Sequence, residues 1–149
     1  IWGKLGAEQG AYIVVDQVGT QFAGGGMNAS LRDMARFGEA MRNNGRFNGQ
    51  QIVPEAVVAD IRAGGDAAKF ADAGYATLPG WSYRNMWWVA GEEQGMFAAR
   101  GIHGQTIYVD PKAEMVIARF ASNPVAANGA NDPVSLPAYA ALANYLNAR

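Results

Sequence analysis

At 149 residues the chain is long enough for one domain with a buried core, and 50% hydrophobic against 17% charged residues excludes a disordered polymer. A net charge of -1 with no basic cluster argues against a nucleic-acid partner. The absence of Cys removes disulfides, thiolate metal ligands and a thiol nucleophile, and leaves the compartment, cytoplasmic or periplasmic, open.

No apolar run approaches the roughly 18 residues that span a bilayer. The low charge implies some apolar surface that expects a partner. The start, Ile1-Trp2-Gly3-Lys4-Leu5-Gly6, has no Met and no signal-peptide pattern. It reads as the last turn of a helix entered midway, with Gly3 and Gly6 as stop signals.

Ala11–Val15 is a short strand candidate, and Gln17–Gly26 a loop ending in three glycines, useful for close packing or positive φ, or mere slack. The clearest helix starts at Ser30, a good N-cap, with Asp33 completing a capping-box-like start. Leu31, Met34, Ala35, Phe37, Gly38 and Met41 form its apolar stripe, and Asn43-Asn44-Gly45 its stop. Phe47–Gln50 is a turn. Pro54 fits the first position of a second helix with Val57, Val58 and Ile61 inward and Gly64-Gly65 as its end. Asp66–Ala73 has room for a short helix, and Gly74–Asn85 reads as a long loop.

Met86–Ala90, Met96–Ile102 and Gln105–Val109 are strand-like runs, the first two joined by the polar turn Gly91–Gly95, in which Glu92-Glu93 is expected to be solvated. Asp110-Pro111 leads through the turn Lys112-Ala113-Glu114 to a further strand, Met115–Ser122. Asn123–Pro133 is a small-residue loop. An amphipathic helix from Val134 or Ser135 to Ala148 turns Leu136, Tyr139, Leu142, Ala143 and Leu146 inward. The expected class is α+β: a mainly helical part over 1–80, then over 81–149 a three- or four-stranded antiparallel sheet with one covering C-terminal helix.

The candidate chemistry is narrow. His103 is the one imidazole, and none of Ser30, Ser82, Ser122 and Ser135 sits in a Gly-x-Ser-x-Gly elbow, so no complete Ser-His-Asp triad is expected. Ser-x-x-Lys, which would set serine and lysine on one face of a helical turn, is absent: Lys69 and Lys112 follow Asp66 and Val109 at that spacing. One His and scattered carboxylates make no metal site. Gly24-Gly25-Gly26 matches no phosphate-binding loop. The two glycines flanking Ile102-His103 interrupt a strand. Such a break leaves two readings open: a plain β-bulge with a structural His, or a backbone N–H at Ile102 turned into a cleft as an oxyanion donor.

Several of these stretches together resemble a known family. Gly-Gly-Gly-Met-Asn-Ala-Ser-Leu-Arg-Asp-Met-Ala-Arg-Phe-Gly (24–38), Ile-Val-Pro-Glu (52–55), Trp87-Trp88 and Gly-Ile-His-Gly-Gln-x-Ile-Tyr-Val-Asp-Pro (101–111) are similar to the C-terminal part of the serine β-lactamase-like hydrolases. That family includes class C β-lactamases, DD-peptidases and esterases, and the likeness is greatest to the nylon-oligomer (aminohexanoate-dimer) hydrolases. The resemblance implies a β-lactamase/transpeptidase-like fold and a small-molecule ester or amide substrate, with no cofactor. It implies that the nucleophile of Ser-x-x-Lys and the Tyr-x-Asn motif lie upstream, in a missing N-terminal half of the same domain, and that this chain has neither. It implies Ile102 N–H as the second oxyanion donor and Trp88 as a wall of the acyl cleft. It implies that Arg100, Gly101 and His103 lie on or beside the strand that carries Lys-Thr-Gly in β-lactamases, with His103 structural or orienting and not the general base. Gly24 stands where aminohexanoate-dimer hydrolases place a polar side chain. The missing Lys-Thr-Gly argues against efficient β-lactam hydrolysis.

Overall fold

The structure, a computed structural model, describes residues 1–149 except Ala23 and Glu92, so part of the Gln17–Gly26 loop and of the Gly91–Gly95 turn lies outside the described residues. In chain order the elements are α1 (Trp2–Leu5), β1 (Tyr12–Ile13), β2 (Met27–Asn28), α2 (Leu31–Arg42), β3 (Arg46–Phe47), β4 (Gln50–Gln51), α3 (Glu55–Arg62), α4 (Ala67–Asp72), β5 (Ser82–Arg84), β6 (Trp87–Val89), β7 (Phe97–Arg100), β8 (Thr106–Asp110), β9 (Met115–Arg119) and α5 (Asp132–Asn147). Short 3₁₀ turns cover Ile102–Gly104 and Asn128–Ala130.

β5 to β9 form one antiparallel meander in sequence order, five strands where three or four are expected. The class is α+β, as the sequence implies. The alternation of side chains across a pleated sheet sets its two cores. Trp87, Val89, Phe97, Ile107 and Val109 face one way, onto Leu5, Met41, Val58 and Ile61 of α1, α2 and α3. Trp88, Ala90, Ala98, Tyr108 and Met115 face the other way, onto Phe70 of α4 and Ala143 of α5. The sheet is thus covered on both faces. Gly38 lets α2 lie close against it: a Cβ there would meet Val116 Cγ1 at 2.5 Å and Ile107 Cγ2 at 2.8 Å.

The extra strand, β5, comes from the stretch that reads as loop. It turns into β6 through Asn85 and Met86, with φ of 47° and 70° and Arg84 opposite Trp87. Two left-handed central residues make the tight hairpin turn that normally carries Gly, and a Met there hides the signal. Gly64, left-handed at φ 69°, ends α3, and Gly65 beside it serves this strand, because a Cβ on it would meet Tyr83 O at 2.4 Å.

Gly26 is not slack: its φ is 73° and a Cβ would meet Val14 Cβ at 2.9 Å, which closes the β1–β2 arm. Gly3 lies inside α1, and the stop is Gly6, left-handed at φ 67°. α5 begins at Asp132, ahead of the expected start. Leu31, Val57 and Leu142, expected inward, are exposed.

Asp33 departs furthest from the capping-box reading. Its amide does donate to Ser30 Oγ at 3.2 Å, but its carboxylate is fully buried and accepts from Ser30 Oγ at 2.7 Å, Glu8 N–H at 2.9 Å, Gln9 N–H at 3.2 Å and Arg36 at 2.7 Å. Burial pushes its carboxyl up, but the donors from Glu8, Ser30, Gln9 and Arg36 outweigh it and hold the group at about 2. Because this lies below the unfolded value near 3.8, the stabilisation is complete above that pH and is lost as pH falls towards 2. Urea midpoints should therefore drop between pH 4 and pH 2, and Asp33→Asn should lower the midpoint at neutral pH and flatten that drop. An equally steep acid limb in the variant contradicts this role.

Candidate active site

The site is built where β7 ends. Gly101 N–H still pairs with Gln105 O at 2.9 Å, extending the β7–β8 ladder by one residue. The chain then leaves the sheet in the 3₁₀ turn Ile102–Gly104, with His103 left-handed at φ 57°. His103 N–H donates to Ala126 O at 3.0 Å and its carbonyl accepts from Asn123 N–H at 3.1 Å. Its ring Nδ1 lies 2.7 Å from Asn123 O, so Nδ1 carries the proton and donates. His103 therefore staples the turn to the loop after β9. Gln105 adds a second staple, its side chain accepting from Ala121 N–H at 3.2 Å and donating to Ala121 O. Gly104 is required at this seam: φ is 91° and a Cβ would meet Asn123 Nδ2 at 2.3 Å.

Between these anchors one donor is left over. Among the described residues no group accepts from Ile102 N–H. Ile102 is 67% exposed and lies on the rim of a cleft of about 540 Å³ that it shares with Gly101, Arg100, Trp88, Tyr75, Thr77 and Asn128. Trp88 forms a wall of this cleft. Its ring meets Tyr83 edge-on at 4.8 Å and Tyr75 edge-on at 6.5 Å, and Tyr75 stacks on Phe70 at 4.6 Å. The buried Trp88 Nε1 has no acceptor among the described residues.

Arg100 lies with its guanidinium 5.9 Å from the Trp88 ring centre and forms an ion pair with Asp132. The two side chains are 7% and 5% exposed, so the pair is buried. Thr77 Oγ donates to the other Asp132 oxygen at 2.6 Å. Gly24 lies apart from the large cleft. It borders a second hollow, of about 350 Å³, with Trp88, Arg100, Gly101 and Met34. A Cβ on Gly24 would meet only Phe22 at ordinary contact distance, 3.6 Å, so this position has room for a side chain.

The structure thus brings Trp88, Arg100, Gly101 and Ile102 to one cleft, places Gly24 on a neighbouring hollow, and turns His103 towards the loop behind. Residues that sequence reasoning missed are Thr77, Asn128 and Asp132. Asp132-Pro133 ahead of an apolar periodic run is a helix-start signal that could have flagged Asp132. Thr77 and Asn128 sit in loops and carry no such mark. The expectation that the chain lacks Tyr-x-Asn needs a correction, since Tyr83-Arg84-Asn85 and Tyr145-Leu146-Asn147 both spell it. Asn85 is spent on Asp60 at 2.6 Å and Tyr83 OH on Met86 sulfur at 3.3 Å, while Tyr145 is exposed and bonds to Arg149. Tyr108 is no base either, because burial, with the nearby Asp110 charge, raises its phenol well above the ordinary range.

A five-stranded antiparallel meander with helices on both faces, and a cleft at the end of its third strand, match a β-lactamase-like fold. The chain belongs to the beta-lactamase family, whose profile matches residues 2–139. It is 38% identical over 125 residues to the 6-aminohexanoate-dimer hydrolase of Paenarthrobacter ureafaciens, covering 83% of this chain and 32% of that protein. A putative 6-aminohexanoate-dimer hydrolase from Bacillus anthracis, of solved structure, superposes with a TM-score of 0.81 at 39% identity, over 98% of this chain and 36% of that one. The chain therefore spans about a third of the length of the relatives it matches. No helix of the described residues is long and apolar enough to cross a membrane.

Proposed function

We propose that this chain forms the oxyanion-side wall of a serine hydrolase that cleaves a carboxylic ester or a linear amide through an acyl-enzyme. The Ser-x-x-Lys nucleophile comes from a segment outside this sequence. Attack by that serine on the substrate carbonyl turns the carbonyl oxygen into an oxyanion, and Ile102 N–H donates to it. Collapse expels the alcohol or amine and leaves the acyl group on the serine, and water then releases the acid and restores the serine. The observation that carries the reading is the unspent Ile102 N–H beside the Trp88 wall. A donor held in place before the reaction stabilises developing charge without reorganising, which is why one such group is worth a few kcal/mol of barrier.

The names of the relatives point to linear amides of an amino acid, and the absence of Lys-Thr-Gly along Ala98–Gly101 favours open-chain substrates over β-lactams. Gly24, where a polar side chain would help hold such an oligomer, favours small esters ahead of it. The exposed apolar residues of the N-terminal arm, Tyr12, Val14, Val15, Val18, Phe22 and Met27, are the surface on which the nucleophile-bearing segment would pack.

The test is a pre-steady-state assay with a p-nitrophenyl ester. The chain alone should give no burst and no covalent adduct. Supplied with the nucleophile-bearing segment, it should give a burst and an acyl adduct on that segment's serine. Turnover by the chain alone at enzyme-like rates contradicts the proposal. Tryptophan quenching by ligand with no adduct in the reconstituted protein would favour instead a catalytically inactive binding module, for which the aromatic set Tyr75, Tyr83 and Trp88 is suited.

A further inference from the structure

The peptide unit between Gly101 and Ile102 has two polar ends. Its N–H end is unspent at the cleft. Its C=O end accepts from Asn128 Nδ2 at 2.8 Å, across 27 residues of sequence. Asn128 opens the 3₁₀ turn Asn128–Ala130 and borders the same cleft. Its own carbonyl accepts from Asn131 N–H at 2.8 Å, which ties it to the start of α5, one residue from Asp132. One residue on either side, Gly101 N–H is fixed to Gln105 O and His103 N–H to Ala126 O. The peptide plane itself has Asn128 as its one partner among the described residues.

We infer that Asn128 is a positioning residue for the oxyanion donor, acting through the Gly101 carbonyl. The inference rests on the proposed role of Ile102 N–H. A peptide is planar and its N–H points opposite to its C=O, so fixing the oxygen fixes the direction of the donor. The same bond draws electron density from the carbonyl and makes the N–H a stronger donor, as in chained hydrogen bonds. Asn128 touches neither nucleophile nor reacting carbonyl in this scheme. It sets the aim and strength of a group that does.

The test uses the reconstituted hydrolase, this chain together with its nucleophile-bearing segment. Asn128→Ala should lower kcat about tenfold while KM changes less than about twofold, the expectation for an interaction that matters only when negative charge develops. Asn128→Asp keeps the shape but sets a carboxylate oxygen against the Gly101 carbonyl, and should cost as much or more. The Ile102 amide resonance in a proton–nitrogen correlation spectrum should move in both variants, with folding retained. Combined with Ile102→Pro, which removes the donor, Asn128→Ala should cause no further loss. A kcat within twofold of the parent for both Asn128 variants overturns the inference, as does a loss that multiplies with that of Ile102→Pro. If Ile102→Pro alone leaves kcat intact, the oxyanion reading itself has failed, a result separable from either of these.

Discussion

Asp132→Ala should destabilise the chain by about 3–5 kcal/mol, read as a shift in urea unfolding, because it strands a buried guanidinium. Both oxygens of Asp132 are in use, one on Arg100 and the other on Thr77 Oγ at 2.6 Å. The two charged side chains are almost wholly removed from solvent. An exposed pair would be worth little, since water and salt screen it. A buried one contributes little relative to a well-packed apolar pair, yet removal of one member leaves the other charged with no water to solvate it.

The sign of the double change follows from this. Arg100→Met with Asp132→Leu should recover most of the lost stability, while Thr77→Val should cost about 1.5–3 kcal/mol, the usual value of a hydrogen bond to a charged group. A loss below 1 kcal/mol for Asp132→Ala would mean that water reaches Arg100, and the cleft floor would then be wetter than described. The same substitution should also disturb catalysis, because Arg100 would be free to leave its place over Trp88.

How far the sequence revealed this depends on whether the signal was local. The runs Met86–Ala90 and Met96–Ile102 were legible as strands, because aromatic and β-branched residues bounded by glycine turns are a local signal, whereas which side chain meets which core emerged only from the packing of the sheet. The α2 helix was legible from its cap, stripe and stop. β5 was not, because its turn uses Asn85-Met86 in left-handed geometry without the expected Gly. Asp33 was legible as a helix-start residue and illegible as a buried acceptor, since Glu8 and Gln9 reach it from 25 and 24 residues away.

The candidate site divides in the same way. Gly101-Ile102-His103-Gly104 announced a broken strand by its spacing alone. That the break leaves Ile102 N–H unspent while His103 N–H is satisfied depends on the distant carbonyl of Ala126, which no local pattern shows. Thr77, Arg100 and Asp132 converge from a loop, a strand and a helix, and Asn128 reaches Gly101 from a short 3₁₀ turn among small residues. Such groupings are products of tertiary packing and leave no periodic trace.

Ile102→Pro in the reconstituted hydrolase tests the central claim most directly. Proline removes one N–H and keeps the carbonyl. The position accepts it: Ile102 is the first residue of the 3₁₀ turn, Gly101 before it is extended at φ -102° and ψ 173°, and the lost N–H bonds to nothing among the described residues. Stability should change by less than about 1 kcal/mol, as for other substitutions at positions without buried contacts. The loss of one preorganised oxyanion donor should lower kcat by about 10²–10³-fold, while Ile102→Ala, which keeps the N–H, should stay within a few-fold of the parent. A folded Ile102→Pro enzyme that acylates its serine as fast as the parent would show that this amide does not hold the oxyanion.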